Sequence, residues 1–354
     1  MASSKQHRRV IVIGAGIIGL SSAVAIAEKI KNVDIEVIAD LFESDTTSSG
    51  AGGLWAPEFA HGLLQGDLAS KLRDFATQTY YHARDLTRNP DSSQIGVFLI
   101  PFYKVYYHPQ NQALHWWKDV VPNYRQISNE EINTIAPGLR DGYTFTSVIT
   151  DCSRYLPYLK ERLIRAGGRI SQRKISSLQQ LTGQCDIVVN CSGSGAQDLV
   201  SDVHVTSIRA QVVQVEAPWI HYVLEVEPAN RTDKYRFYVI PRCNEVILGG
   251  TQYDAPGTDV SPEDKDAILT NTASFVPSLK RAKFKRDWVG VRPNRSTGLR
   301  LEKETITSGS KELQVIHNYG HSGQGITLHW GCALEAAKMT EEALKKSQTI
   351  KSKL

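Results

Sequence analysis

Val10-Ile11-Val12-Ile13 runs straight into Gly14-Ala15-Gly16-Ile17-Ile18-Gly19. The β-branched run suits a strand buried on both faces of a parallel sheet. The glycines stop it, and apolar residues resume at helical period from Ile17 to Glu28. Strand, glycine turn and helix make the opening half of a βαβ unit. In that unit Gly14 permits the tight turn, Gly16 lets the backbone approach a pyrophosphate, and Gly19 lets the helix lie close to the strand. Ile35 to Ile38 reads as the next strand, and Asp40 follows its end at the place where a carboxylate meets a ribose hydroxyl. The basic stretch Lys5 to Arg9 ahead of this apolar run imitates a secretory signal or membrane anchor. The glycine break and the change of period argue against both. The fingerprint predicts a dinucleotide and does not separate NAD from FAD.

At 354 residues the chain is long enough for two domains, and 41% hydrophobic with 22% charged residues predicts a packed globular protein. A net charge of +4 is too thin for a nucleic-acid stripe. The five cysteines contain no C-x-x-C pair, so a disulfide framework and a structural metal site are not expected and a reducing compartment is. No other stretch is long enough to cross a bilayer. Helices are predicted over Ser153–Arg165, from Ser261, and from about Gly325 to Lys346. Strands are predicted at Arg169–Ile175, Asp186–Asn190, Gln211–Glu216, Phe237–Ile240, Glu245–Leu248, Trp288–Val291 and Leu313–Asn318. Parallel α/β signals occupy both ends and the middle, and antiparallel signals fill the gaps. The expected fold is α/β: a Rossmann-like nucleotide domain assembled from residues 1–60, 148–205 and 300–354. An antiparallel-sheet substrate domain is inserted as 61–147 and 206–299.

Several further segments carry a resemblance. They are Val12 to Leu20, Ala51-Gly52-Gly53-Leu54-Trp55, Asp186 to Gly193, Tyr238-Val239-Ile240-Pro241 and Val289-Gly290-Val291-Arg292-Pro293. The most specific are His317 to Thr327 and His329-Trp330-Gly331. In this order, over nearly the whole chain, they resemble the D-amino-acid oxidase family, which includes D-aspartate oxidase. The resemblance implies non-covalent, extended FAD and transfer of hydride from substrate Cα to the flavin. It implies D-amino acid and O2 as reactants, with a 2-oxo acid, ammonia and H2O2 as products. It assigns Gly14, Ala15, Gly16, Ile17, Ile18 and Gly19 to the pyrophosphate, and Asp40 with Leu41 to the adenosine ribose. Thr46, Thr47 and Ser48 add contacts near the phosphates. Gly52, Gly53 and Leu54 lie at the reactive edge of the flavin, and Ile175 frames the adenine by its backbone. Ser192 and Gly193 end the middle strand at the cofactor. Gly323, Gln324, Gly325, Ile326 and Thr327 lie toward the pyrimidine end of the flavin, where a helix N-terminus favours the negative charge of reduction.

On the substrate side the same resemblance makes Arg292 the carboxylate clamp, since a guanidinium grips a carboxylate with two parallel hydrogen bonds. Tyr238 adds a phenolic bond, and the Gly323 carbonyl accepts from the substrate amine. Hydride departure requires no base at Cα, so His317, His321 and His329 are expected to be structural. The sequence departs from family members in places. Where many carry a second tyrosine this chain has Lys234, which leaves the neighbouring Tyr235 as a candidate lid residue. Leu41 replaces a frequent arginine. Gln252 stands where the D-aspartate branch has an arginine, Arg231 occurs in both branches, and Gly323 replaces a serine. Neutral or broad-range D-amino acids are therefore expected, with D-aspartate the alternative. Glu58 reads as an exposed acid beside the flavin-facing loop; a preference for cationic side chains is its other reading. Ser352-Lys353-Leu354 matches the receptor-read peroxisomal address, so import into the peroxisome is expected, as is a possible homodimer. An NAD-linked dehydrogenase or a non-catalytic nucleotide-binding protein are the competing classes.

Overall fold

The computed structural model describes residues 7–58, 66–110, 115–227, 234–254, 257–309 and 311–351. Arg231 and Ser352-Lys353-Leu354 lie outside the described residues.

Two sheets divide the strands. The first runs Arg300–Ser308, Lys311–Tyr319, Ile187–Asn190, Arg8–Ile13, Val33–Ala39, Arg169–Gln172, in that spatial order. Its pairings are parallel except for the antiparallel hairpin Arg300–Ser308 with Lys311–Tyr319. Chain order leaves Arg8–Ile13 toward Val33–Ala39 on one side and returns to Ile187–Asn190 on the other. The carboxyl ends of these strands flank a topological switch point, the place where open α/β sheets bind ligands. Gly14, Asp40, Ser192 and Gly320 all follow strand ends on that edge. Helix Ile17–Lys29 packs against the strands through a buried face containing Leu20, Ala23, Val24 and Ile26.

The glycine spacing is a steric requirement. A Cβ at Gly19 would stand 1.9 Å from the Gly14 carbonyl oxygen, and one at Gly14, whose φ is +105°, would stand 2.4 Å from the Cys191 carbonyl oxygen. The helix therefore touches the end of the first strand, and that end touches the end of Ile187–Asn190, at backbone distance.

The second sheet has nine strands. Lys283–Arg295 pairs along nearly its whole length with Val205–Glu216. Beyond that lie Val246–Thr251, Tyr235–Pro241, Val223–Glu227, Val97–Tyr106, Asp141–Thr150 and Arg125–Gln126, with Tyr253–Asp254 at the other end of Val205–Glu216. Helix Pro262–Phe275 starts at a Ser261 cap, whose hydroxyl accepts from the Asp264 N–H, and covers one face of this sheet. Helix Gly66–Leu86 packs against the closing helix Gly325–Lys351 so tightly that a Cβ at Gly331 would stand 2.3 Å from the Phe75 Cα. The helices expected at Ser153 and Ser261 are found. Strands Val97–Tyr106, Asp141–Thr150, Val223–Glu227 and Arg300–Ser308 and helix Gly66–Leu86 were not legible in the sequence pattern. Among the described residues no helix is long and apolar enough to cross a membrane.

Gly19→Ala is expected to destabilise the fold by about 1–3 kcal/mol through overpacking and to lower flavin content in the purified protein. Thermal unfolding and the visible spectrum check both. A fully flavinated variant of parental stability would contradict the close-approach argument.

Candidate active site

Helix Ile17–Lys29 begins with Gly16 as its N-cap, no side chain of that cap bonding the helix and no acid in its first turn. Free N–H groups and the helix dipole there favour an anion. Ser48 reaches this point: its Oγ accepts from the Ile17 N–H at 3.0 Å. Its neighbours point elsewhere. Thr46 Oγ1 donates to the Glu43 carbonyl and Thr47 Oγ1 to the Val291 carbonyl. Ala15 is buried, Ile18 packs on the core, Asp40 is exposed beyond the strand end, Leu41 is 52% exposed and Ile175 packs on the small cluster around Ile13 and Ile38.

The loop after Ser48 is held rigidly. Arg242 donates to the carbonyls of Ser49 and Ala51 at 2.7 and 3.0 Å, while Glu245 and Asp151 balance its buried charge. Gly50 lies against Trp288 and Gly52 against Ile240. Gly53 (φ +81°) and Leu54 then pair with the end of Asp141–Thr150: the Thr150 N–H donates to the Gly53 carbonyl, and Leu54 bridges Ile149. The chain continues to Ala56, whose N–H donates to Thr327 Oγ1 at 3.2 Å, in the first turn of the closing helix. That helix follows a tight turn, Ser322–Gln324. Ser322 is held at φ 51°, a left-handed conformation unfavourable for a residue with a side chain, and the turn presents Gly323.

Arg292, Tyr238 and Gly323 meet. Arg292 and Tyr238 lie on strands three steps apart in the second sheet and four residues apart in register, at Ile208 and at Val212 of Val205–Glu216, so long side chains must bridge the gap. Gly249 and Gly250 make the approach possible. A Cβ at Gly249 would fall 1.8 Å from the Tyr238 ring, and one at Gly250 2.9 Å from its hydroxyl, so the ring lies flat over bare backbone. Burial raises the Tyr238 phenol above its ordinary value, with the hydrogen-bonded Arg292 guanidinium acting the other way, and the phenol keeps its proton. A Cβ at Gly323 would stand 3.9 Å from Arg292 Nη1. Arg292 Nη1 also donates to Gln252 Oε1 at 3.1 Å.

Tyr235 is not brought to this group. Its ring stacks on Phe237 and its hydroxyl donates to Asp264 at 3.3 Å, on the face covered by helix Pro262–Phe275. Lys234 also bonds Asp264, at 2.9 Å. A β-bulge between Tyr235 and Tyr238 accompanies this placement. Glu58 is exposed, as its sequence reading has it, and it accepts from Tyr143 at 2.6 Å and from the buried Lys104 at 2.9 Å. The three histidines are buried: His317 bonds Glu304 and Asn190, and burial pushes His321 down to about 3 and His329 well below the ordinary value. Gln252 beside Arg292 was legible; Arg242, Lys104 and Glu225 were not singled out. The alternating Val223-Leu224-Glu225-Val226-Glu227 was the available signal for the last.

Comparison with known proteins follows this geometry. The family model DAO, FAD dependent oxidoreductase, matches residues 9–339. The chain belongs to the family of FAD-dependent oxidoreductases. It is similar to D-aspartate oxidase of Homo sapiens, 33% identical over 96% of this chain and 97% of that one. It is also similar to D-amino-acid oxidase of Rubrobacter xylanophilus, 34% identical over 95% and 97%. A glycine oxidase structure from Geobacillus kaustophilus shares the fold, with a TM-score of 0.75 at 18% identity and 95% of each chain covered.

The residues fit the family's FAD. The helix N-terminus at Ile17 is free of acids, Gly14 and Gly16 carry no side chain there, and Asp40 is exposed just past the end of Val33–Ala39 on the same edge. Among the described residues, Ser192 Oγ and Gln324 Oε1 are buried without a hydrogen-bond partner on the edge that joins the two sheets. Asp202 ties that edge together. It accepts from Arg295 Nε at 2.8 Å and from the Tyr319 hydroxyl at 2.7 Å, joining the strand that carries Arg292 to the strand that leads to Gly323. Burial would raise its carboxyl, but the hydrogen bonds from Arg295, Tyr319 and the His204 N–H outweigh it and hold it down to about 2, below its ordinary 3.8. Its stabilising contribution is therefore complete above about pH 4 and is lost as pH falls toward 2. Asp202→Asn is expected to reduce stability by about 2–3 kcal/mol at neutral pH, with the difference from the parent shrinking at low pH. Denaturant melts at both pH values check this, and a pH-independent difference would contradict it.

Proposed function

We propose that this chain is an FAD-dependent oxidase of D-amino acids, converting D-amino acid, O2 and water to a 2-oxo acid, ammonia and hydrogen peroxide. The observation that carries the reading is the meeting of Arg292, Tyr238 and Gly323 beside the N-terminus of the closing helix and the Gly53–Leu54 loop. Bound FAD supplies a two-electron acceptor for the Cα hydrogen and passes the electrons to O2. The chain's own residues bind and orient. Arg292 donates a pair of N–H groups to the substrate carboxylate, and the protonated Tyr238 phenol donates to the same group. The Gly323 carbonyl accepts from the amine. Two fixed points on the substrate, carboxylate and amine, determine which face of Cα is presented, which is how one enantiomer is selected. His317, His321 and His329 are buried and held neutral, so they contribute packing rather than proton transfer. Gln252 holds Arg292 without adding charge, which disfavours D-aspartate and leaves a broad range of other D-amino acids. The proposal carries with it peroxisomal import through Ser352-Lys353-Leu354, a compartment suited to a peroxide-forming enzyme.

Anaerobic mixing of the purified yellow protein with D-alanine is expected to bleach the flavin band; an unchanged spectrum with every D-amino acid would sink the reading. Arg292→Lys is expected to retain flavin while kcat/KM falls about 100-fold, because a lysine offers no paired fork. Parental kinetics in that variant would remove the clamp assignment.

A further inference from the structure

Lys104 is a deeply buried charge near this site. Its side chain is 2% exposed, against 36%, 26% and 24% for Glu58, Glu225 and Glu227, which surround it. Nζ lies 2.9 Å from Glu58 and 3.0 Å from Glu227, and it donates to Glu225. Of its three N–H donors, two go to Glu58 and Glu225, and Glu227 pairs with the same ammonium as an ion. The three carboxylates come close enough together to hold a cation, and the cation they hold is this one. One positive charge against three acids leaves the group net negative. The lysine lies behind and the carboxylates remain partly open, so the negative charge faces outward.

These acids are not a separate site; they close a circuit with the residues described above. Glu225 is the cross-strand partner of Tyr238, and directly opposed residues project from the same face of a sheet. Tyr238 bonds Arg292, and Arg292 Nη1 stands beside Gly323. The next residue, Gln324, donates through Nε2 to the Glu58 carbonyl at 3.1 Å. Glu58 returns the circuit to Lys104. This circuit carries a guanidinium at one point and net negative charge at another.

We propose that Glu225 and Glu58 set the substrate class of this site, receiving the cationic side-chain end of D-lysine or D-arginine and rejecting acidic D-amino acids. The inference rests on the oxidase reading above. With the α-carboxylate on Arg292 and the amine on Gly323, the side chain is the part of the substrate left to face the acids. A second carboxylate brought there meets like charge, and Lys104 is already paired with three acids. A cationic end meets opposite charge in a partly desolvated setting, where such pairing contributes most to discrimination.

The test uses the FAD-loaded enzyme with D-lysine, D-arginine, D-methionine and D-aspartate. The expected kcat/KM for D-lysine and D-arginine exceeds that for D-methionine about tenfold and that for D-aspartate at least ~100-fold. Glu225→Gln is expected to lower the D-lysine to D-methionine ratio about tenfold, with added salt narrowing the ratio in the parent. Equilibrium binding of 6-aminohexanoate and adipate, which lack the α-amine, reads the same preference without turnover and without a variant. The amino acid is expected to bind about tenfold tighter. D-methionine used as well as D-lysine by the parent, or adipate bound as tightly as 6-aminohexanoate, overturns the proposal and leaves the oxidase reading standing. An equal loss on both substrates in Glu225→Gln overturns it too, since the acids would then serve the α-amine or the fold. A flavin that no D-amino acid reduces overturns the oxidase reading itself.

Discussion

The constraint behind the whole arrangement is that two sheets, packed around a core cluster drawn from both, must meet with their site residues in register. Asp202 is where they are joined. It stands just before strand Val205–Glu216 and accepts from Arg295 in one sheet and Tyr319 in the other. Three residues from Arg295 is Arg292, and four from Tyr319 is Gly323. A single buried carboxylate thus fixes the spacing between the group that would hold a substrate's carboxylate and the carbonyl that would hold its amine. A hydrogen-bonded charge suits this role because misplacement by an ångström leaves it buried and unpaired, which is costly.

The same principle recurs at the other buried charges. Arg242 pins the loop that begins at Ser48, and its own charge is met by Asp151 and Glu245. Lys104 gathers three acids into one place beside Tyr238. The histidines follow the opposite course. His321 and His329 are driven toward neutrality by burial and pack among apolar and aromatic neighbours, and His82 stacks on Trp330 at 3.7 Å. Charge is kept where it positions a loop or faces a ligand and is removed where only packing is needed.

Legibility in the sequence followed locality. The strand–turn–helix at Val10 to Glu28 was readable because its determinants, a β-branched run and three spaced glycines, lie within one short stretch. Strand Val97–Tyr106 was not, since it is apolar without alternation and interrupted by Pro101, and nothing local separates it from other buried segments. Arg292, Tyr238 and Gly323 were read from resemblance, and their meeting was not visible in spacing at all. Tyr235 lies three residues from Tyr238, an odd separation that puts the two on opposite faces of a strand; it stacks on Phe237 and bonds Asp264 there.

By itself the sequence determined the dinucleotide turn, the mixed α/β architecture and the residue types of the family's site, because each depends on short-range sterics or on a specific string of residues. Only the tertiary structure decided what surrounds that site. Glu58 and Lys104 lie 46 residues apart and Lys104 and Glu225 lie 121 apart. A lysine in a strand is ordinarily read as a solvent-facing charge. Burial and electrostatic pairing depend on which strands become neighbours, and strand order is a property of the folded chain that no local pattern encodes.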